Sequence, residues 1–258
     1  MAKIVVANWK MNPNSLSAAD KIAAGYVKNA AVDVVVCPPT VFLEELAAKY
    51  KMLTWGAQDC FWEESGPFTG QISPLALKST GANYVIIGHS EQREFNKSTD
   101  KEIGKKVIAV IKSGLTPILC VGGGIDAKSR TAHTKAVLKK HITGAFKEIS
   151  KSMAHGSKIL VVYEPPWALS NVSGNKPAPM KFVESSIAYI KSLVKAYKLS
   201  ASPAGRAPTS YKFLYGGSVI GNNISSFVDQ SYLDGFLVGG ASLRPKEFSR
   251  IIASISKT

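Results

Sequence analysis

Val161-Val162-Tyr163-Glu164-Pro165-Pro166-Trp167-Ala168 is the stretch on which the reading of this chain turns. Apolar residues, several of them β-branched, run straight into an acid, and two prolines then forbid any further strand ladder. The pattern predicts a buried parallel strand that delivers one carboxylate at its C-terminal tip and leads stiffly into a loop. In an α/β barrel the C-terminal ends of the strands form the mouth where chemistry is done. Taken alone, Glu164 reads equally well as a solvated loop residue. Three other strand ends carry reactive groups too, and they change the balance.

Working outward, Val-rich strands recur along the chain, each followed by a helix-like segment. They are expected at residues 3–8, 32–37, 52–58, 83–88, 116–121, 158–163, 212–215 and 235–238. Helical segments are expected over 15–29, from Thr40 as cap through Lys49, from Pro74, over 98–113, up to about 152, over 177–197, and from Pro245. Eight strands alternating with helices, with no linker between them, predict a single (β/α)8 barrel, or TIM barrel, spanning 1–258. A doubly wound open sheet would carry a G-x-G-x-x-G after its first strand, and none stands there. The Ser-, Pro- and Ala-rich segment 200–210 is too short to separate domains, and the 48 residues after it would not easily form one.

At 258 residues and 45% hydrophobic content the chain can bury a full core. Cys37, Cys60 and Cys120 are too few and odd in number for a disulfide framework. Met1-Ala2-Lys3 runs directly into a strand, so no secretory leader is expected, and no apolar run reaches the roughly 18–20 residues of a membrane span. A soluble, cytoplasmic protein follows. The net charge of +14 fits a nucleic-acid binder, a membrane-surface protein or an enzyme that draws in anions. Its lysines, such as Lys135, Lys139, Lys140, Lys147 and Lys151, are spread along helices with no basic block and no interleaved stacking aromatics. Solvated helix faces account for most of this charge, and neither nucleic acid nor membrane is expected as a partner.

The first strand ends in Asn8-Trp9-Lys10, and continued extension would aim residues 8 and 10 the same way. The fourth ends in Gly88-His89-Ser90-Glu91. There the beginning of a helical turn beside His89 would disfavour its protonated form. A lone lysine or histidine in either place reads as an ordinary surface or core residue. Gly216-Gly217-Ser218 and Gly239-Gly240 close the seventh and eighth strands. They suit tight turns, and equally a phosphate site built from backbone N–H groups with no Cβ in the way.

Taken together these pieces, with Trp167, Tyr215 and Val238-Gly239-Gly240-Ala241-Ser242-Leu243, resemble the triosephosphate isomerase family over nearly the whole chain and in order. The resemblance implies a base at Glu164 that moves a proton between C1 and C2 of a triose phosphate, a reaction of glycolysis and gluconeogenesis. It implies a neutral His89 shuttling protons between the two oxygens, and Lys10 stabilising negative charge. Asn8 would hold a substrate oxygen, Glu91 would sit close behind, and Ser170, Ser218, Gly239 and Gly240 would hold the phosphate. Proton abstraction next to a carbonyl needs a base, an oxyanion stabiliser and a dry pocket, so no metal or organic cofactor is expected.

The loop 59–73, which starts at Asp59 and ends at Ser73, resembles the family's dimerisation loop, and a homodimer is expected. Its Phe61, Trp62 and Phe68 are read as interface residues. The chain also departs from the family. Gln71 and Gln92 stand where an ion pair is usual, a joint loss that leaves no orphan charge. Gly123 stands where a glutamate is usual. The lid after Trp167 reads Leu169-Ser170-Asn171-Val172 in place of the familiar Ile-Gly-Thr-Gly. The competing functional expectation is therefore a phosphosugar-binding barrel whose altered lid impairs turnover.

Overall fold

The computed structural model describes residues 2–26, 29–123, 132–152, 157–168, 177–200 and 210–256. Eight parallel strands close into a barrel in chain order. They are β1 (Lys3–Asn8), β2 (Val32–Cys37), β3 (Thr54–Ala57), β4 (Ala82–Ile87), β5 (Thr116–Val121), β6 (Lys158–Tyr163), β7 (Ser210–Tyr215) and β8 (Gly235–Val238). Ile4 to Ala7 pair with Gly235 to Val238, so β8 returns to β1 and no edge is left open. Between and after the strands lie α1 (Leu16–Ala24), α2 (Leu43–Lys49), α3 (Pro74–Ser79), α4 (Ser90–Glu94), α5 (Asp100–Lys112), α6 (Ala132–Ser152), α7 (Met180–Ser200), α8 (Ser225–Val228) and α9 (Pro245–Ile255).

The strands are buried on both faces, which is why they read as continuous apolar runs. One alternating set, including Ile4, Val6, Ile86, Ile118, Leu160, Val162, Leu214 and Leu237, fills the barrel interior. The other set, including Val5, Ala7, Val85, Val161 and Phe236, packs outward with the helices. The helices present matching stripes. Phe248, Ile251, Ile252 and Ile255 of α9 fall at i, i+3, i+4 and i+7 and are all buried. Burying side chains of this kind contributes about 1.5–3 kcal/mol each.

Following the interior set one step past each strand end explains the mouth. After Val6 comes Asn8 and after Val162 comes Glu164, so two polar side chains inherit the inward direction. After Ile86, Cys120, Leu214 and Leu237 come Gly88, Gly122, Gly216 and Gly239. Of these glycines, Gly216 and Gly239 line the cavity at the mouth. At Gly216 a Cβ would stand 2.6 Å from Val162 Cγ1 and 3.2 Å from Glu164 Cγ.

The observed elements correct several boundaries. The first helix ends at Ala24 rather than near 29, because Gly25 turns its N–H back to Ile22 and Ala23 and lies against Pro245. Thr40 does not cap α2. It begins a 3₁₀ turn, Thr40–Phe42, with no side-chain cap. The third strand is Thr54–Ala57 rather than 52–58, since Leu53 N–H bonds Tyr50 O in a turn and the register slips at Trp55/Gly56. The fourth strand stops at Ile87, and Gly88 takes a left-handed φ of 71°. The helix expected over 98–113 starts at Asp100 under a capping box of Thr99 and Glu102. That after Pro177 starts at Met180, and the seventh strand gains Ser210 and Tyr211.

Candidate active site

β1, β4, β6, β7 and β8 bring their C-terminal ends to one cavity of about 240 Å³. Lys10, His89, Glu164, Ser218, Gly239 and Gly240 all line it. Residues from five separate places in the chain thus meet at one site. Ser170 and the rest of 169–176 lie outside the described residues.

Glu164 is 1% exposed. Its N–H is bonded to Val121 O at 2.9 Å, which continues the β6 pairing one residue beyond the strand and fixes the launch direction. One carboxylate oxygen, Oε2, accepts from Ser90 N–H at 3.0 Å. The other, Oε1, lies 3.1 Å from His89 Nε2.

His89 reaches this site through a break in strand parity. Gly88 occupies the inward position, and its positive φ turns the next residue into the mouth. His89 then acts as the N-cap of α4, with Nδ1 accepting from Glu91 N–H at 3.3 Å. That bond requires a bare Nδ1, so the ring proton sits on Nε2, toward Glu164. Burial lowers the pKa of His89, but the carboxylates of Glu164 and Glu91 outweigh it and the net push is upward. This corrects the sequence expectation: the helix N-terminus does meet the imidazole, yet two nearby acids dominate. The larger part of the upward push comes from an ionised Glu164 and is lost once that carboxyl carries a proton.

Lys10 also departs from expectation. The strand ends at Asn8, and Lys10 adopts φ 54°, a left-handed conformation uncommon outside glycine. Three side-chain hydrogen bonds surround this backbone. Asn8 Oδ1 accepts from Lys10 N–H at 3.0 Å, while Gln58 Nε2 donates to Lys10 O at 2.7 Å and to Cys37 O at 3.0 Å. Strain of this kind costs about 1–3 kcal/mol and persists where surroundings over-determine it. Lys10 Nζ donates to Glu91 Oε1 at 2.7 Å, and Glu91 Oε2 lies 3.5 Å from His89 Nδ1. Asn8 and Glu91 therefore stand behind the cavity, holding Lys10 and His89.

Sequence reasoning missed Gln58, Arg93 as a brace, and Arg244. Arg93 donates to Gly88 O at 2.8 Å, to Asp100 Oδ1 at 2.6 Å and to Cys120 O at 3.2 Å, locking the end of β4 to α5 and β5. Arg244 lines the cavity beside Gly239 and Gly240. No local pattern marks Gln58, whose partners are the carbonyls of Lys10 and Cys37, and none marks the reach of Arg93 to Cys120 O in β5. Gly123 packs its α-carbon face against Ser90 Cβ, so a side chain at this position would displace the turn that meets Glu164. Gln92 Oε1 accepts from Asn96 Nδ2 at 2.7 Å, and Gln71 is exposed. Among the described residues no cluster of three or more His, Cys, Asp and Glu side chains is placed to hold a metal ion.

The residues on either side of 169–176 are anchored. Trp167, in the 3₁₀ turn Pro166–Ala168, packs edge-on to Phe182 with centroids 4.9 Å apart. Downstream, Ala178 N–H donates to Tyr215 Oη at 3.3 Å. In the 59–73 loop, Phe61 stacks on Trp62 with centroids 4.0 Å apart and lies tilted against Phe68 at 4.7 Å. Phe61 and Trp62 are half-buried and Phe68 is exposed.

A closed barrel whose strand tips aim an acid, an imidazole and an ammonium into one hollow mouth defines a (β/α)8-barrel protein with an acid–base site. The family model described as "Triosephosphate isomerase" matches residues 3–255. Triosephosphate isomerases of Caldanaerobacter subterraneus subsp. tengcongensis and Alkaliphilus oremlandii are each 37% identical to the chain, with 96% of this chain and 98% of the relative covered. That of Clostridium tetani is 37% identical, with 96% and 95% covered. The chain belongs to the triosephosphate isomerase family.

Proposed function

We propose that the chain, as one barrel, interconverts D-glyceraldehyde 3-phosphate and dihydroxyacetone phosphate, a step of glycolysis and gluconeogenesis. The observation that carries the reading is the convergence of Glu164, His89 and Lys10 on one cavity that also holds Ser218, Gly239 and Gly240. Glu164 takes a proton from the carbon next to the carbonyl and returns it to the neighbouring carbon. Its burial beside Ser90 N–H keeps the carboxylate oriented and largely out of water.

His89 carries the second proton movement. Nε2–H donates to the developing oxyanion, and the imidazole passes a proton between the two oxygens as the enediolate forms and collapses. Once Glu164 holds the substrate proton, its charge no longer favours imidazolium, so His89 works in its neutral form. Lys10 supplies the positive charge that stabilises the enediolate, with Glu91 and Asn8 positioning it. This gives Asn8 a supporting part rather than direct contact with a substrate oxygen. The phosphate rests on the backbone of Gly239 and Gly240 and on Ser218, with Ser170 of the lid as a further partner. The reaction asks for neither metal nor organic cofactor.

The same reading makes the protein a cytoplasmic homodimer assembled through the 59–73 loop. Exposed Met11, Val41, Phe68 and Phe95 follow β1, β2, β3 and β4, four neighbours in the barrel, and would be covered by a second copy. No helix among the described residues is long and apolar enough to cross a membrane. A nucleic-acid or membrane partner forms no part of the proposal. The competing reading, phosphosugar binding with impaired turnover, rests on residues 169–176, outside those described. A coupled assay of glyceraldehyde 3-phosphate isomerisation tests the choice: sustained turnover supports the isomerase, and tight substrate binding without turnover supports the competitor.

A further inference from the structure

The cavity is lined by two cations, Lys10 and Arg244. Lys10 Nζ is committed to Glu91 at 2.7 Å. The Arg244 guanidinium has no hydrogen bond or ion pair among the described residues. Glu247, the acid nearest to it in sequence, accepts instead from Gly221 N–H at 2.8 Å and lies 3.7 Å from Arg250. Arg244 is exposed, and its charge has no counter-ion among the described residues.

Its backbone, by contrast, is held on both sides. Arg244 N–H donates to Ala241 O at 3.2 Å, and its carbonyl accepts from Phe248 N–H at 2.9 Å. Pro245 follows, and Arg244 is extended at φ −115° and ψ 96°, the conformation expected before proline. This fixes where the side chain leaves the chain, at the end of the 3₁₀ turn that begins with Gly240. A Cβ built on Gly240 would meet nothing within 4 Å, so the backbone there borders open space. Gly239, Gly240 and Arg244 therefore line the cavity within one short stretch of chain.

We propose that Arg244 determines specificity for the dianionic phosphomonoester end of the substrate. The proposal rests on the isomerase reading above and adds a residue to it. A guanidinium offers forked N–H donors that match phosphate oxygens, whereas backbone amides supply direction without net charge. A phosphomonoester carries close to two negative charges at neutral pH, so an unpaired cation at the cavity rim favours it over an uncharged triose.

The test uses full-length protein, wild type and the variants Arg244→Gln and Arg244→Lys. Inorganic phosphate is titrated calorimetrically, a measurement that needs no turnover. Separately, kcat/KM is measured for glyceraldehyde 3-phosphate and for unphosphorylated glyceraldehyde. Arg244→Gln is expected to weaken phosphate binding by about tenfold and to lower the phosphorylated-to-unphosphorylated ratio of kcat/KM by a similar factor, with partial recovery in Arg244→Lys. Phosphate affinity within twofold of wild type, together with an unchanged ratio, overturns the proposal. A wild type that binds phosphate through Arg244 but isomerises nothing upholds the phosphate contact and overturns the isomerase reading instead.

Discussion

Oε1 of Glu164 lies 3.1 Å from Nε2 of His89, while Nδ1 of the same ring accepts the Glu91 N–H at 3.3 Å. The imidazole is therefore held at Nδ1, and its one proton sits on Nε2, on the side of the base. Replacing His89 with Gln keeps a donor of similar reach but cannot relay a proton. We expect kcat to fall about 10²–10³-fold, within the usual range for a general acid–base group, with circular dichroism unchanged. A kcat within fivefold of wild type would remove His89 from the chemistry.

The hollow mouth depends on what is missing at Gly216. An alanine there would bring its Cβ within 2.6 Å of Val162 Cγ1 and 3.2 Å of Glu164 Cγ. Overpacking of this kind costs about 1–3 kcal/mol. Gly216→Ala should lower the urea midpoint accordingly and should also reduce kcat, because Glu164 has to shift. Loss of stability with full activity would show that Val162 alone absorbs the clash.

His141 offers a test in acid. It is buried, its Nδ1 accepts from Gly122 N–H at 3.2 Å, and burial pushes its pKa down to about 3. The unfolded chain then binds a proton below about pH 6.5 that the native state refuses, so the fold loses stability as pH falls from there toward 3. At pH 4.5, two units below the unfolded pKa, this contributes a loss of about 2–3 kcal/mol relative to neutral pH. Urea unfolding at pH 7 and pH 4.5 should show a decline smaller by about that amount in His141→Gln. Equal declines in the two proteins would exclude this residue as the source.

The exposed apolar residues after β1 to β4 predict assembly. Deleting 63–69 should give monomers in sedimentation velocity, with greatly reduced isomerisation. An intact protein that sediments as a monomer at micromolar concentration while fully active would rule out a working dimer.

How far the sequence led depended on whether information was local. Val161 to Glu164 could be read because strand, acid and proline stop are consecutive, and inward parity carries directly from Val162 to Glu164. The same parity failed at β4, where Gly88 turns left-handed and brings His89 inward in its place. It failed again at Lys10, whose φ of 54° is imposed by Asn8 and by Gln58, fifty residues from Asn8 in the chain. The direction of the His89 shift was misjudged for a related reason: the helix N-terminus is visible in Ser90-Glu91, but the approach of Glu164 is a tertiary fact. Helix and strand ends slipped where turns competed, as at Gly25 and between Tyr50 and Leu53.

The central claim is that Glu164 is the base. Its most direct test is glyceraldehyde 3-phosphate isomerisation by wild type and by Glu164→Gln, which keeps the shape of the side chain and removes its ability to take a proton. The account predicts a rate lower by about 10²–10⁴-fold, or roughly 3–5 kcal/mol of barrier, with the Glu164→Gln protein folded and still binding inorganic phosphate. Near wild-type turnover in Glu164→Gln would contradict it.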